Sequence, residues 1–263
     1  MDLQAFRDSF KKFTAACPIH GETSFSKIMD FPERCDLCAA EQKRIDDERQ
    51  AKQTYRERML SGMASCGINI NAKGFDAWEI DETQRTRQEA LLANLKKYAT
   101  DFHTGMPNLL FYGGTGAGKT MLSNALARAV YQSQFKKNSL CPAKFIRSSE
   151  FVEQCKESWS DKSKPTQNMI IARLASFDLL VIDDLGDGDT TGNQLSDRSR
   201  LGGLIDARYQ QKPTVITTNL SYEETKTFMG DRAWDRFQQN LIHIKCDWSS
   251  YRQKAGVAKI GGW

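Results

Sequence analysis

Phe111-Tyr112-Gly113-Gly114-Thr115-Gly116-Ala117-Gly118-Lys119-Thr120 decides the fold of this chain. Gly113, Gly118, Lys119 and Thr120 fit the spacing G-x-x-x-x-G-K-[ST] of a phosphate-binding loop. The flanks agree with it. Leu109-Leu110-Phe111-Tyr112 reads as a short buried strand, and Met121 to Tyr131 as a helix of small and apolar residues. A strand feeding a glycine-rich turn and then a helix aims several backbone N–H groups, and the positive end of a helix dipole, at one point. That point suits a polyphosphate. Gly113, Gly114, Thr115, Gly116, Ala117 and Gly118 would line it, Lys119 would reach the β- and γ-phosphates, and the Thr120 hydroxyl would hold Mg²⁺.

Downstream segments supply what such a loop needs. Asp178-Leu-Leu-Val-Ile-Asp-Asp184 is a buried strand with two carboxylates at its C-terminal end, the end that faces the ligand in an α/β sheet. Asp183 would hold the Mg²⁺ shell, directly or through water. Asp184 would orient or deprotonate the attacking water. Pro213 to Asn219 is a further buried strand. Its terminal Asn219 either hydrogen-bonds the γ-phosphate or the water, or is a strand-end turn residue. Asp231 to Phe237 reads as a helix with Arg232 and Arg236 on one face. These guanidinium groups suit a phosphate, or pair locally with Asp231 or Asp235. Ala143–Ile146 and Leu241–Lys245 complete five strands. The tail from Trp248 to Trp263 leaves no room for a helical lid of normal size.

Upstream, Cys17 and His20 form C-x2-H, and Cys35 and Cys38 form C-x2-C, with residues 21–34 between the pairs. Two such pairs give Zn²⁺ its four N/S ligands in a tetrahedron, within a compact ribbon or treble-clef-like knuckle. No ligand position is left for water, so a structural zinc is expected. Leu3, Phe6, Phe10 and Phe13 have helical spacing over residues 1–16, either to pack on the next module or to meet a partner. Ala39 to Leu60 mixes charges of both signs and reads as an exposed connecting helix. Ser61 to Asn71 reads as a loop. Phe75 and Trp78 precede a helix over Glu82–Ala99, with Ala90, Leu91, Leu95 and Tyr98 inward. Either aromatic could touch an adenine or pack in the core. Lys156, Lys162 and Lys164 beside Trp159, in and after a helix over Ser149–Trp159, could track single-stranded nucleic acid. Asp187 to Arg200 reads as an exposed loop, and Leu201 to Tyr209 as a helix.

Composition narrows the classes. The 263 residues, 40% hydrophobic, suit one large domain with an appendage, split here as 1–60 and 61–263. A net charge of +4 from 37 basic and 33 acidic side chains permits nucleic-acid contact without demanding it. No apolar run approaches a membrane span of about 18 residues. The N-terminus, with Asp2, Arg7 and Asp8, is not a secretory signal. Seven cysteines, an odd count, disfavour a disulfide scaffold and fit a reducing, cytoplasmic setting.

The order of P-loop, paired-Asp strand, Thr-Thr-Asn strand and Arg-bearing helix resembles the AAA+ ATPases. Gly230-Asp-Arg-Ala-Trp-Asp-Arg236, the closing Asp247-Trp-Ser-Ser-Tyr-Arg252, and Phe75-Asp-Ala-Trp78 narrow the resemblance to bacterial and phage helicase loaders of the DnaC/IstB group, over roughly residues 60–255. It implies an α/β AAA+ P-loop NTPase domain, a five-stranded parallel sheet between helices with a reduced or absent lid, preceded by a small zinc-binding, helical module. It also implies ATP with Mg²⁺ as cofactors and loading of a hexameric replicative helicase onto single-stranded DNA, with the N-terminal module on the helicase. By motif position Gly113–Thr120 is the Walker A, Asp183 and Asp184 the Walker B, and Asn219 sensor 1. Arg236, with Arg232 second, is the arginine finger acting on a neighbouring subunit. Arg252 is a sensor-2-like candidate. Two departures stand out. Zinc ligands are not shared by every such loader. Many AAA+ proteins also have Asp-Glu where this chain has Asp183-Asp184. Retracting the base by about 1.5 Å, where about 1 Å can cost about 100-fold, implies slow hydrolysis stimulated by DNA or assembly. An IstB-type transposition helper on duplex DNA and an ATP-gated adaptor with little turnover are the alternatives.

Overall fold

A computed structural model describes residues 10–28, 32–160, 163–186 and 194–251. The chain divides into two compact units, Met1–Arg58 and Met59–Trp263.

The first unit is a small ribbon followed by a helix. Strands β1 (Phe10–Cys17) and β2 (Gly21–Ile28) form an antiparallel hairpin, and β3 (Arg34–Cys35) joins β2. The helix expected over residues 1–16 is therefore replaced by a strand from Phe10 onward; Leu3 and Phe6 lie outside the described residues. The reason is non-local. Hairpin register sets Phe13 opposite Phe25, and the two rings stack with centroids 5.9 Å apart. A cross-strand aromatic pair and a hydrogen-bonded ladder outweigh helical spacing. Helix α1 (Asp36–Ser65) starts directly after β3. It is exposed over residues 41–58 and carries i,i+4 links such as Gln42–Asp46 at 3.0 Å and Gln53–Glu57 at 2.9 Å.

The last turns of α1 open the second unit, where a loop had been expected from Ser61. Gly62 lies inside the helix, and a Cβ there would meet the Tyr131 hydroxyl at 2.1 Å, so glycine permits the close packing. Next to it, Met63 is fully buried. The chain leaves the helix at Gly67.

The sheet comprises β4 (Asn108–Tyr112), β5 (Ala143–Arg147), β6 (Leu179–Leu185), β7 (Thr214–Thr218) and β8 (Leu241–Lys245). All neighbours are parallel, in the order β5-β6-β7-β4-β8. Successive side chains alternate between two cores. Leu109, Phe111, Val181 and Val215 pack with α2 (Arg85–Thr100) and α3 (Lys119–Lys136). Leu110, Leu180, Ile182 and Ile216 pack with α4 (Ser148–Ser160), α5 (Gln167–Ser176), α6 (Gln194–Arg208), α7 (Tyr222–Met229) and α8 (Asp231–Gln238). Residues 194–200 are thus helical rather than loop, and residues 187–193 lie outside the described set. On α2, Leu95 and Tyr98 are buried as expected, but Ala90 is exposed and Gln88 is buried in its stead. Arg208, 2% exposed, donates to the carbonyls of Phe177 at 2.7 Å and Pro213 at 2.5 Å and to Thr214 Oγ1 at 2.9 Å, tying the starts of β6 and β7 to α6. Among the described residues no helix is long and apolar enough to cross a membrane.

This strand order brings the C-terminal ends of β4, β6 and β7 side by side. They carry the glycine loop, the paired carboxylates and the Thr-Thr-Asn segment.

Candidate functional site

The glycine loop joins β4 to α3. Gly118, next to the helix start, has φ +82°, and a Cβ there would lie 2.6 Å from the Trp78 ring. Gly113 has φ +127°, and its Cβ would lie 2.5 Å from the Cys246 carbonyl. Backbone handedness and close approach both require glycine at these two positions. The loop is braced from behind. Trp248 Nε1 donates to Ala117 O at 2.8 Å and Tyr251 N to Gly116 O at 3.1 Å. Trp78 meets the edges or faces of Trp248 and Tyr251 with centroids 6.0 and 5.0 Å away. Of the two readings for Trp78, this geometry is the packing one. Phe75 is partly buried against the same core. Buried Gln88 accepts from Trp78 Nε1 at 3.2 Å and Asp81 N at 2.8 Å, and so fixes the tryptophan.

Lys119 is 6% exposed. Its ammonium donates to Gly113 O at 2.7 Å, Gly114 O at 2.8 Å and Asn219 Oδ1 at 2.7 Å. Thr120 Oγ1 donates to Asp183 Oδ2 at 3.1 Å, and Thr217 Oγ1 to Asp183 Oδ1 at 2.6 Å. Burial raises the pKa of Asp183, and these two hydroxyls oppose the rise. A hydroxyl and a carboxylate this close form an oxygen pair suited to a Mg²⁺ shell. The donor set therefore fits a Mg²⁺-nucleotide.

Asp184 is out of line with the ladder. The pairing of β6 with β7 shifts between Ile182 and Leu185, and Asp184 has φ 60°. A bulge with a left-handed residue re-aims its side chain. Asn219 Nδ2 donates to Asp184 Oδ1 at 3.0 Å, so one amide bridges the Lys119 ammonium and the Asp184 carboxylate. The structure brings Gly113–Thr120, Asp183, Asp184 and Asn219 together. The sequence reading gives no role at the site to Gln88, Thr217, Trp248 or Tyr251. It quotes Thr217 within the Thr-Thr-Asn strand and Trp248 and Tyr251 within the Asp247–Arg252 segment, so only Gln88 left no signal.

Arg232 and Arg236 are not in this group. Both reach Asp206 on α6 rather than Asp231 or Asp235. Arg232 Nη2 lies 3.2 Å from Asp206 Oδ2, and Arg236 pairs with the other oxygen. The Arg236 guanidinium sits 5.7 Å over the Tyr209 ring. It lines a cavity of about 320 Å³ with Asn108, Pro213 and Thr214, where β4 and β7 begin. That is the end of the sheet opposite the glycine loop. Lys156 pairs with Asp197 at 3.7 Å and Lys164 with Glu157 at 2.6 Å, so these two are ion-paired rather than an open basic track. The Trp159 side chain, Lys162 and Arg252 lie outside the described residues.

In the first unit Cys17, His20, Cys35 and Cys38 converge, with all four ligand atoms within 4.8 Å of one another. His20 Nδ1 lies 3.4 Å from Cys38 Sγ and 3.7 Å from both Cys17 and Cys35 Sγ, and the Cys17 and Cys38 sulfurs are 3.6 Å apart. Zn–S bonds of about 2.3 Å in a tetrahedron put ligands about 3.7 Å apart, so the spacing fits zinc. Backbone N–H groups of Ile19 and His20 lower the pKa of the Cys17 thiol to about 6, while hydrogen bonding with Cys17 raises that of the Cys38 thiol to about 11. A cation at the centre would relieve that crowding of sulfurs. Glu41 Oε2 lies 3.9 Å from His20 Nε2, on the side of the ring away from the sulfurs, where a carboxylate orients a metal-binding imidazole.

Residues 11–257 match the family model described as IstB-like ATP binding protein. The protein named replicative helicase loader DnaC of Buchnera aphidicola subsp. Acyrthosiphon pisum is 27% identical over 220 residues, covering 81% of this chain and 83% of the relative. Its namesake in Buchnera aphidicola subsp. Schizaphis graminum is 26% identical over 257 residues, covering 94% and 96%. The crystal structure of the DnaC helicase loader superimposes with a TM-score of 0.54 at 20% identity, covering 65% of this chain and 95% of that one, a likeness of fold.

Proposed function

The chain belongs to the family of IstB-like ATP-binding proteins, and on that premise we propose that it is an ATP-dependent helicase loader. It binds a hexameric replicative helicase and delivers it to single-stranded DNA. The observation that carries this reading is the alignment, over more than four-fifths of both chains, with relatives named replicative helicase loader. Residues 1–60 form the helicase-contacting module and 61–263 the AAA+ ATPase.

Bound ATP supplies the transferable γ-phosphoryl group. Gly113, Gly114, Thr115, Gly116, Ala117 and Gly118 cradle the phosphates, and Lys119 exchanges its three oxygen partners for phosphate oxygens. Thr120 and Asp183 hold Mg²⁺. Asp184 takes the proton of the attacking water, which Asn219 positions. Arg236, with Arg232 second, completes the site of a neighbouring copy, and Arg252 contributes a sensor-2-like contact. Turnover is slow and rises with DNA or assembly, so ATP acts mainly as a switch. Zn²⁺ holds the N-terminal module together.

The direct test mixes the purified chain with the hexameric replicative helicase of its host. ATP should promote a complex that co-elutes; no association with or without ATP would end the loader reading. Preference for duplex over single-stranded DNA, with filaments on the duplex, would favour an IstB-type transposition helper. For the finger, Arg236→Ala should keep ATP binding and lose about 1,000-fold of the DNA-stimulated hydrolysis. Phosphate release measured with and without DNA checks this, and unchanged turnover refutes the assignment.

A further inference from the structure

We propose that Thr217 is the positioning residue that aims Asp184 and pins Asp183; this rests on the ATPase reading of the site. The bulge in β6 removes ladder pairing between Ile182 and Leu185. Buried backbone groups there need other partners to offset the loss of their water. Two adjacent threonine hydroxyls of β7 supply them. Thr217 Oγ1 accepts from Asp184 N at 2.9 Å and donates to Asp183 Oδ1 at 2.6 Å. Thr218 Oγ1 donates to Leu185 O at 2.6 Å and accepts from Leu220 N at 3.1 Å. Both side chains are sealed from solvent, at 1% and 0% exposure.

The two hydroxyls do different things. Thr218 touches backbone only, so it holds the strand end. Thr217 is bonded to both acidic residues. Its accepted bond keeps Asp184 at φ 60°, a conformation that an Asp leaves readily when nothing retains it. Its donated bond leaves Asp183 one oxygen for the side of Thr120. Valine has the shape of threonine and can make neither bond; serine can make both.

Thr217→Val should slow ATP turnover by roughly 100-fold with the KM for ATP changed by less than about 3-fold, the mark of lost alignment at the reacting centre. Thr217→Ser should restore turnover to within about 3-fold of wild type. Thr218→Val is the structural control. It should lower the melting temperature while turnover stays within about 3-fold of wild type at temperatures where the variant is folded. Equal turnover losses in the two valine variants, or wild-type turnover in Thr217→Val, would overturn the assignment. If Thr217→Val does not fold, hydrogen exchange in the wild-type chain replaces it. The Asp184 amide should then be strongly protected, and fast exchange would overturn the proposal. Absence of turnover in the fully assembled wild type would be a failure of the ATPase reading instead. Thr217 would then be judged by hydrogen exchange at the Asp184 amide, whose protection should fall at least about 10-fold in Thr217→Val and persist in Thr217→Ser. Unchanged protection in Thr217→Val would overturn it.

Discussion

Asp184→Asn should leave ATP binding intact and slow hydrolysis by at least about 100-fold. The substitution is conservative for the backbone. Asn tolerates the left-handed conformation as well as Asp does, so φ 60° can persist. Its side-chain oxygen can still accept from Asn219 Nδ2. What it loses is the charge of a carboxylate and its capacity to accept a proton. Fluorescent-nucleotide titration and phosphate release, measured on the same preparation with DNA present, separate the two effects. If neither phosphate release nor partner release changes, the ATP-gated adaptor reading replaces the ATPase. The same backbone accounts for the departure from the more common Asp-Glu pair. A left-handed bulge favours a short side chain that can be bonded locally, at the cost of reach.

Stripping the cation from the Cys17, His20, Cys35 and Cys38 cluster should unfold the ribbon of the first unit. Structural zinc in small modules contributes about 10–16 kcal/mol of apparent binding free energy. The ribbon has little apolar core of its own. Among the described residues of the first unit, Cys17 and Cys35 are the buried hydrophobic ones, and both are ligands. Metal analysis of protein purified without added metal should give one Zn²⁺ per chain. Chelation should then erase the strand signal of residues 10–28, read by hydrogen exchange, while nucleotide binding by the second unit survives on its own cores. Metal-free protein with reduced cysteines and an intact ribbon would remove zinc from the account.

What was legible in the sequence was what chemistry writes locally. Lys119 and Thr120 sit one and two residues after Gly118, and Asp183 and Asp184 follow an unbroken apolar run. Cys17 and His20 are three residues apart. Other features depend on groups far along the chain. The bulge at Asp184 is visible only once Thr217 lies beside it, and the partner of Arg232 and Arg236 is Asp206, on another helix. Phe10 and Phe13 show the same limit in reverse. Their helical spacing is real, but hairpin pairing with Ile28 and Phe25 decides their conformation. Gly62 marks a contact with Tyr131 rather than a turn, which no window of sequence can distinguish.

The nucleotide loop and Arg236 occupy opposite ends of one sheet. A one-way contact that carries Arg236 of one copy to the loop of the next is head-to-tail and carries a direction. Unlike a two-fold dimer, in which each copy would complete the other's loop, it propagates as a ring or an open spiral. If Arg236 completes the loop of the next copy, an open run of n copies completes n − 1 loops, and the terminal copies keep one vacant loop at one end and one idle arginine at the other. Hydrolysis per chain would then climb with the length of the run, and the two ends would present chemically different surfaces to whatever caps them.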